Sequence, residues 1–218
     1  MDLLDSVASF ILLVGVFFII GRIIDYLRAA KKRLRYIENY DFHSGIRKRL
    51  AQKHPQLTEQ QLDQVFTGLK HYFRMCSAAN RQMVAMPSQV VDDAWHEFIL
   101  FSQFYAQFCR KGLGRFLHHT PAEAMDSPTQ AQEGIKRAWR LACAIEGINP
   151  KKPTSLPLLF AIDDLLKIEH GFFYRLDCLK DSADNAYCAS HIGCGGVTSC
   201  SGGGCGGGGC GGGCGGGC

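Results

Sequence analysis

Hydrophobic and polar positions divide the chain into three parts. From Val7 to Gly21 the run VASFILLVGVFFIIG carries no charge, and Ile23 and Ile24 prolong it if Arg22 lifts its guanidinium to the headgroup level. Such a run lies at the short end for a membrane-spanning helix. From Tyr40 to about Leu176 apolar residues recur at helical spacing instead. From residue 199 onward the chain is almost entirely glycine, cysteine and serine.

In the middle part, LTEQQLDQVFTGLKHYFRMCSAA opens with Thr58 and Gln61 in capping-box positions. Leu62, Val65, Phe66, Leu69, Phe73 and Cys76 then follow one face, which predicts a long amphipathic helix. A second helix is expected from Pro87 and Ser88 to a stop near Gly112. Thr120, Pro121 and Glu123 form another start signal, and Ser127 with Pro128 repeats the device. The helix from Pro128 to about Gly147 should bury Ile135, Ala138, Trp139, Ala142 and Ile145. A further one, Leu156 to Ile168, should present Leu158, Leu159, Ile162, Leu165 and Leu166. No convincing run of alternating β-branched residues occurs. The expected fold class is therefore all-α: a bundle of five or six helices over 40–177, preceded by an anchor and basic juxtamembrane helix at 1–39, followed by a flexible tail at 178–218.

Charge decides how the first part is used. Arg22, Arg28, Lys31, Lys32, Arg33 and Arg35 follow the apolar run, with Asp25 alone opposing them. Positive charge concentrates on the cytoplasmic side, so the N-terminus is expected outside and the body in the cytoplasm, with the lipid bilayer as first partner. A signal peptide is the rival, but MDLLD holds acids and no Lys or Arg, and no small-x-small site precedes the basic flank. The net charge of +4 over 218 residues arises largely here, so no nucleic-acid partner is required. No glycine-rich phosphate loop, nucleophile elbow or internal repeat marks the middle part.

Candidate chemistry centres on VDDAWHEF, Val91 to Phe98. Asp92 and His96 stand four apart and share a helix face. Projected at 3.6 residues per turn, Val91, Trp95, Phe98, Ser102, Tyr105 and Cys109 form one stripe. Ile99, Leu100, Phe101, Phe104 and Phe108 fill much of the remainder, which places this helix centrally in its bundle. Cys109, His118 and His119 follow closely, and carboxylate, imidazole and thiolate all ligate zinc. No paired CxxC or HExxH spacing is present, and Cys109 projects away from Asp92 on the wheel. Two readings stay open: a metal site, with Glu97 or Asp93 as base of a metal-dependent hydrolase, or a structural Asp–His pair with Cys109 as a small hydrophobe, His118 and His119 capping a turn, and Glu97 solvated.

These residues resemble a known pattern. VDDAWHEFILFSQFYAQFC with GRFLHHTP is similar to the core motif of the glycine-rich domain-containing protein family, a domain of unknown function, through Val91, Asp92, Trp95, His96, Tyr105, Cys109 and His118 or His119. Plant relatives often carry a second His where this chain has Phe98. The resemblance extends to SLPLLFAID and the tail, and it implies an architecture in which Asp92, His96 and the later Cys and His form one unit. It implies no established activity.

Seven of the 11 cysteines lie after residue 187: Cys188, Cys194, Cys200, Cys205, Cys210, Cys214 and Cys218. Glycine-rich chain cannot offset its ordering entropy by burial, so this part is expected to be disordered without a ligand. Its thiolates could curl around zinc or cuprous copper, or the tail could serve protein partners and self-association without any ion. Disulfides are a third reading, disfavoured in a reducing cytosol and by the odd cysteine count. The expected function is a membrane-anchored binding or scaffold protein whose tail captures soft metal or mediates association.

Overall fold

The computed structural model describes residues 2–120, 128–176, 187–188, 192 and 216–217. The start signal at Pro121 and Glu123, the Ser127 cap, and Cys194, Cys200, Cys205, Cys210, Cys214 and Cys218 lie outside the described residues. After Tyr40 the chain divides into two units.

The first unit is a single helix, α1, Asp2–Glu38. Within Phe10–Glu38 an 18-residue window has a mean hydropathy of 2.3 and none of that window is buried, so by length and composition this helix can cross a membrane.

The second unit is all-α, as the periodicity predicts. It contains α2 (Ser44–Lys53), α3 (Glu59–Ala78), α4 (Gln89–Leu100), α5 (Ser102–Phe108), α6 (Pro128–Glu146) and α7 (Leu158–Leu165). α3 begins at the Thr58–Gln61 capping box and buries all six apolar residues of its predicted face. It approaches α4 closely because residue 68 is glycine: a Cβ there would stand 3.0 Å from Val91 Cγ2. α2 is a helix that hydrophobicity does not announce, burying only Ile46 and Leu50. Ion pairs hold its other side, Arg49 to Glu97 and Lys53 to Asp93 on α4, and Arg47 to Glu59 and Asp63 at the start of α3.

Three expectations are corrected. The single helix expected from Pro87 to Gly112 breaks at Phe101, whose backbone leaves the helical region at φ −83°, ψ 59°. It resumes as α5 and finishes as one turn of π-helix, Cys109–Leu113, closed by Gly114 in the left-handed conformation. The break turns Leu100 and Phe104 outward, so the apolar circumference of that segment does not make it central on every side. On α7, Leu165 is 63% exposed and Leu158 half-buried, while Phe160 and Asp163 occupy the interior. On α6, Ala138, Trp139 and Ala142 are buried as expected, but Gly134 and Cys143 are buried in preference to Ile135 and Ile145.

Two-residue extended pieces complete the unit. Val84–Ala85 and His119–Thr120 each pair antiparallel with Gly216–Gly217, and Tyr174–Arg175 pairs in parallel with Tyr187–Cys188. Thr120 is thus extended chain.

Candidate functional site

α4 carries the site, and its start is held from two sides. The Ser88 hydroxyl accepts from the Val91 N–H at 3.2 Å. Asp163, on α7 and 1% exposed, accepts from Ser88 Oγ at 2.7 Å, from the Gln89 N–H at 2.7 Å, from the Val90 N–H at 3.3 Å and from the Phe172 N–H at 2.9 Å. A carboxylate at the positive end of a helix satisfies donors the helix leaves unpaired. Burial nonetheless pushes the Asp163 carboxyl above its ordinary value, against the pull of these four donors. With its first turn fixed, α4 presents two different faces.

One face meets α2. Asp93, its side chain 6% exposed, accepts from Lys53 Nζ at 2.6 Å and Gln89 Nε2 at 3.3 Å, and lies 2.8 Å from His54 Nε2. Glu97 pairs with Arg49 and its side chain is only 14% exposed, so the expectation of a solvated Glu97 is corrected. Both acids considered as a base are engaged with cations. No apolar periodicity points to this network; the ionic partners of Asp93 lie 39 and 40 positions earlier in the chain.

The other face carries Asp92 and His96, brought to one side by their spacing, with His96 Nδ1 3.4 Å from Asp92 Oδ2. Gly114 then turns the chain back along α4, and His119 Nε2 comes within 3.1 Å of Asp92 Oδ1. The two imidazoles lie 4.2 Å apart, and the Trp95 indole meets the His119 ring edge-on at 4.5 Å. One ligand atom from each of Asp92, His96 and His119 lies within 4.8 Å of the others. Atoms bound to one ion at about 2.0–2.2 Å need separations of this order. Asp92 and His119 are largely buried, whereas the His96 side chain is 46% exposed, so the cluster opens on one side to solvent.

The remaining sequence candidates separate from it. His118 is exposed and packs on Phe116 at 4.9 Å. Cys109 is fully buried, and its thiol meets the Tyr105 hydroxyl and the Leu117 backbone. Burial pushes that thiol up from its ordinary value, so it is a core group and not a ready thiolate. Cys188 is described in its backbone alone, within the short pair with Tyr174–Arg175.

Comparison with known families matches one description, UCP032817-like, over residues 32–192, which takes in all of α2 to α7 and the whole cluster. No curated protein and no solved structure matches the chain.

Proposed function

The chain belongs to the UCP032817-like family, and from that premise we propose that it is a membrane-anchored helical protein whose body binds a divalent metal ion between Asp92, His96 and His119. The observation that carries this reading is the convergence of three ligand atoms from two separate segments within 4.8 Å. Two imidazoles and one carboxylate suit zinc and the neighbouring divalent transition metals. Three protein ligands leave coordination positions free, and the exposure of His96 gives solvent a way in. An ion held this way would acidify a bound water, which supports metal-dependent hydrolysis as the chemistry of the site. Asp93 and Glu97 play no part in that chemistry, since Lys53, His54 and Arg49 already occupy them.

The anchor is α1, inserted with the N-terminus outside and the body in the cytoplasm. Its apolar stretch and the basic residues that follow support both the insertion and its direction. The Gly/Cys tail, whose likeness to glycine-rich domain proteins belongs to the same reading, is a second place for soft metal or for association.

The test is metal content under reducing conditions. The detergent-purified chain and a version ending at Tyr187 should each retain one equivalent in the body, and Asp92→Asn or His119→Ala should abolish it in the shorter version. Negligible metal in the folded shorter version would falsify the metal centre and leave a structural Asp–His cluster. Extraction of the full chain by alkaline carbonate would remove the anchor.

A further inference from the structure

Asp92 and His96 sit on the same helix, so backbone geometry alone sets their relation. His119 is different: it arrives on a loop, and something must hold that loop at the right height above α4. Besides the backbone pairing of His119–Thr120 with Gly216–Gly217, the described residues hold one side-chain connection suited to this. Trp95 lies between the two helical ligands, and its Nε1 donates to the Tyr105 hydroxyl at 3.1 Å. That hydroxyl in turn donates to the carbonyl oxygen of Leu117, two residues before His119. Cys109, one turn beyond Tyr105, meets both the same hydroxyl and the Leu117 backbone. Trp95, Tyr105, Cys109 and Leu117 are all at most 1% exposed, so no water substitutes for these contacts without a cavity being opened. The same indole that begins the connection packs edge-on against the His119 ring.

We propose that Tyr105, joined to Trp95 and Cys109, is a positioning residue for the metal site, clamping Leu117 so that His119 is delivered to Asp92 and His96 already in ligating geometry. The inference rests on the metal reading above. A loop ligand left free would lose conformational entropy at the moment of binding; a clamped one has lost it in folding. Outer-shell groups that orient a ligand set metal affinity by roughly 10–100-fold. The break at Phe101 acquires a use here, because it re-aims α5 and places Tyr105 between α4 and the returning loop.

Tyr105→Phe tests this, since it keeps the ring and removes the hydroxyl that meets Trp95, Leu117 and Cys109. The measurement is Co(II) titration of the full detergent-purified chain with its seven tail cysteines replaced by serine, read by visible absorption and competition with a chelator. Phe108→Leu, a core change packed on Phe73 at 4.7 Å, serves as a control of comparable stability loss. Tyr105→Phe should bind Co(II) roughly 10–100-fold more weakly with an altered visible band, while Phe108→Leu melts lower yet binds with unchanged affinity and spectrum. Unchanged affinity and spectrum in folded Tyr105→Phe would overturn the clamp alone. Weakening of both variants in proportion to their melting temperatures would also overturn it, as a general stability effect. Co(II) binding that Asp92→Asn does not diminish would overturn the metal reading and the clamp together.

Discussion

Asp92 and Asp93 are neighbours in sequence and opposites in surroundings. Asp93 faces α2, where Lys53 and His54 meet its two oxygens at 2.6 and 2.8 Å and its side chain is almost sealed from solvent. Asp92 faces the returning loop, and its partners are two imidazoles, at 3.4 and 3.1 Å. A carboxylate whose two oxygens are already taken by an ammonium and an imidazole is part of the scaffold, because admitting a metal ion would displace them. One whose partners are themselves potential ligands can share a cation with them instead. Successive positions on a helix point about 100° apart, so a single step along α4 changes an acid from scaffold to candidate ligand.

Substitutions at the two positions should therefore separate stability from metal binding. Asp93→Ala leaves the Lys53 charge and the His54 ring without their buried partner and should cost about 3 kcal/mol, roughly 6–12 °C in a thermal melt of a unit this size. A loss as small as that of a surface pair would mean Asp93 is no scaffold. Asp92→Asn should cost less than about 1 kcal/mol without metal. It should also erase the stabilisation metal confers on the native chain, about 2.7 kcal/mol at an ion concentration one hundred times the dissociation constant. Differential scanning fluorimetry with and without Zn(II) reads both effects. Equal metal-induced shifts in the native chain and Asp92→Asn would erase the distinction between the two acids.

Smaller effects sharpen the same contrast. Glu97→Gln removes the pair with the half-exposed Arg49 and should cost about 0.5–1 kcal/mol, leaving metal content untouched. On α7 the contrast recurs between Asp163 and Asp164: burial raises the first carboxyl, whereas hydrogen bonds from Lys167 and Arg175 hold the second below its ordinary value of 3.8. A depressed carboxylate contributes stability above its unfolded pKa and loses it as pH falls through the folded one. Melts from pH 5 downward should thus show Asp164→Asn losing less stability than the native chain, by a few tenths of a kcal/mol, as its partly exposed ion pairs are screened. An identical acid limb in the two would show that these pairs contribute nothing.

Much of the fold was legible in order and period. α3 was readable from its cap to its buried face because a box at Thr58 and Gln61 and six apolar residues at one spacing agree. α2 was not, since Ile46 and Leu50 are too few to set a period and the rest of the helix is held by charges on other helices. The kink at Phe101 also went unseen, because FILFSQF has neither proline nor glycine to mark it and the segment stays apolar across the break. Of the site, the four-residue spacing of Asp92 and His96 was visible locally. The choice of His119 over His118 was not, as adjacent residues on extended chain point to opposite faces and only the path of the loop says which one faces α4.

What the sequence determined by itself is what depends on neighbours along the chain: the apolar run of α1, the capping box, the helical class of the body, and the shared face of Asp92 and His96. What tertiary structure alone decided is which of several equivalent polar groups meet. Asp93 finds Lys53 at the end of α2 and the His54 ring beside it, Asp163 finds the open end of α4, Cys109 is drawn into the core, and His119 joins Asp92. Burying a charge is costly unless a partner stands within a few ångströms, and such partners come from distant segments. Period and composition fix a helix and its inward face, but leave open which distant group answers each buried charge.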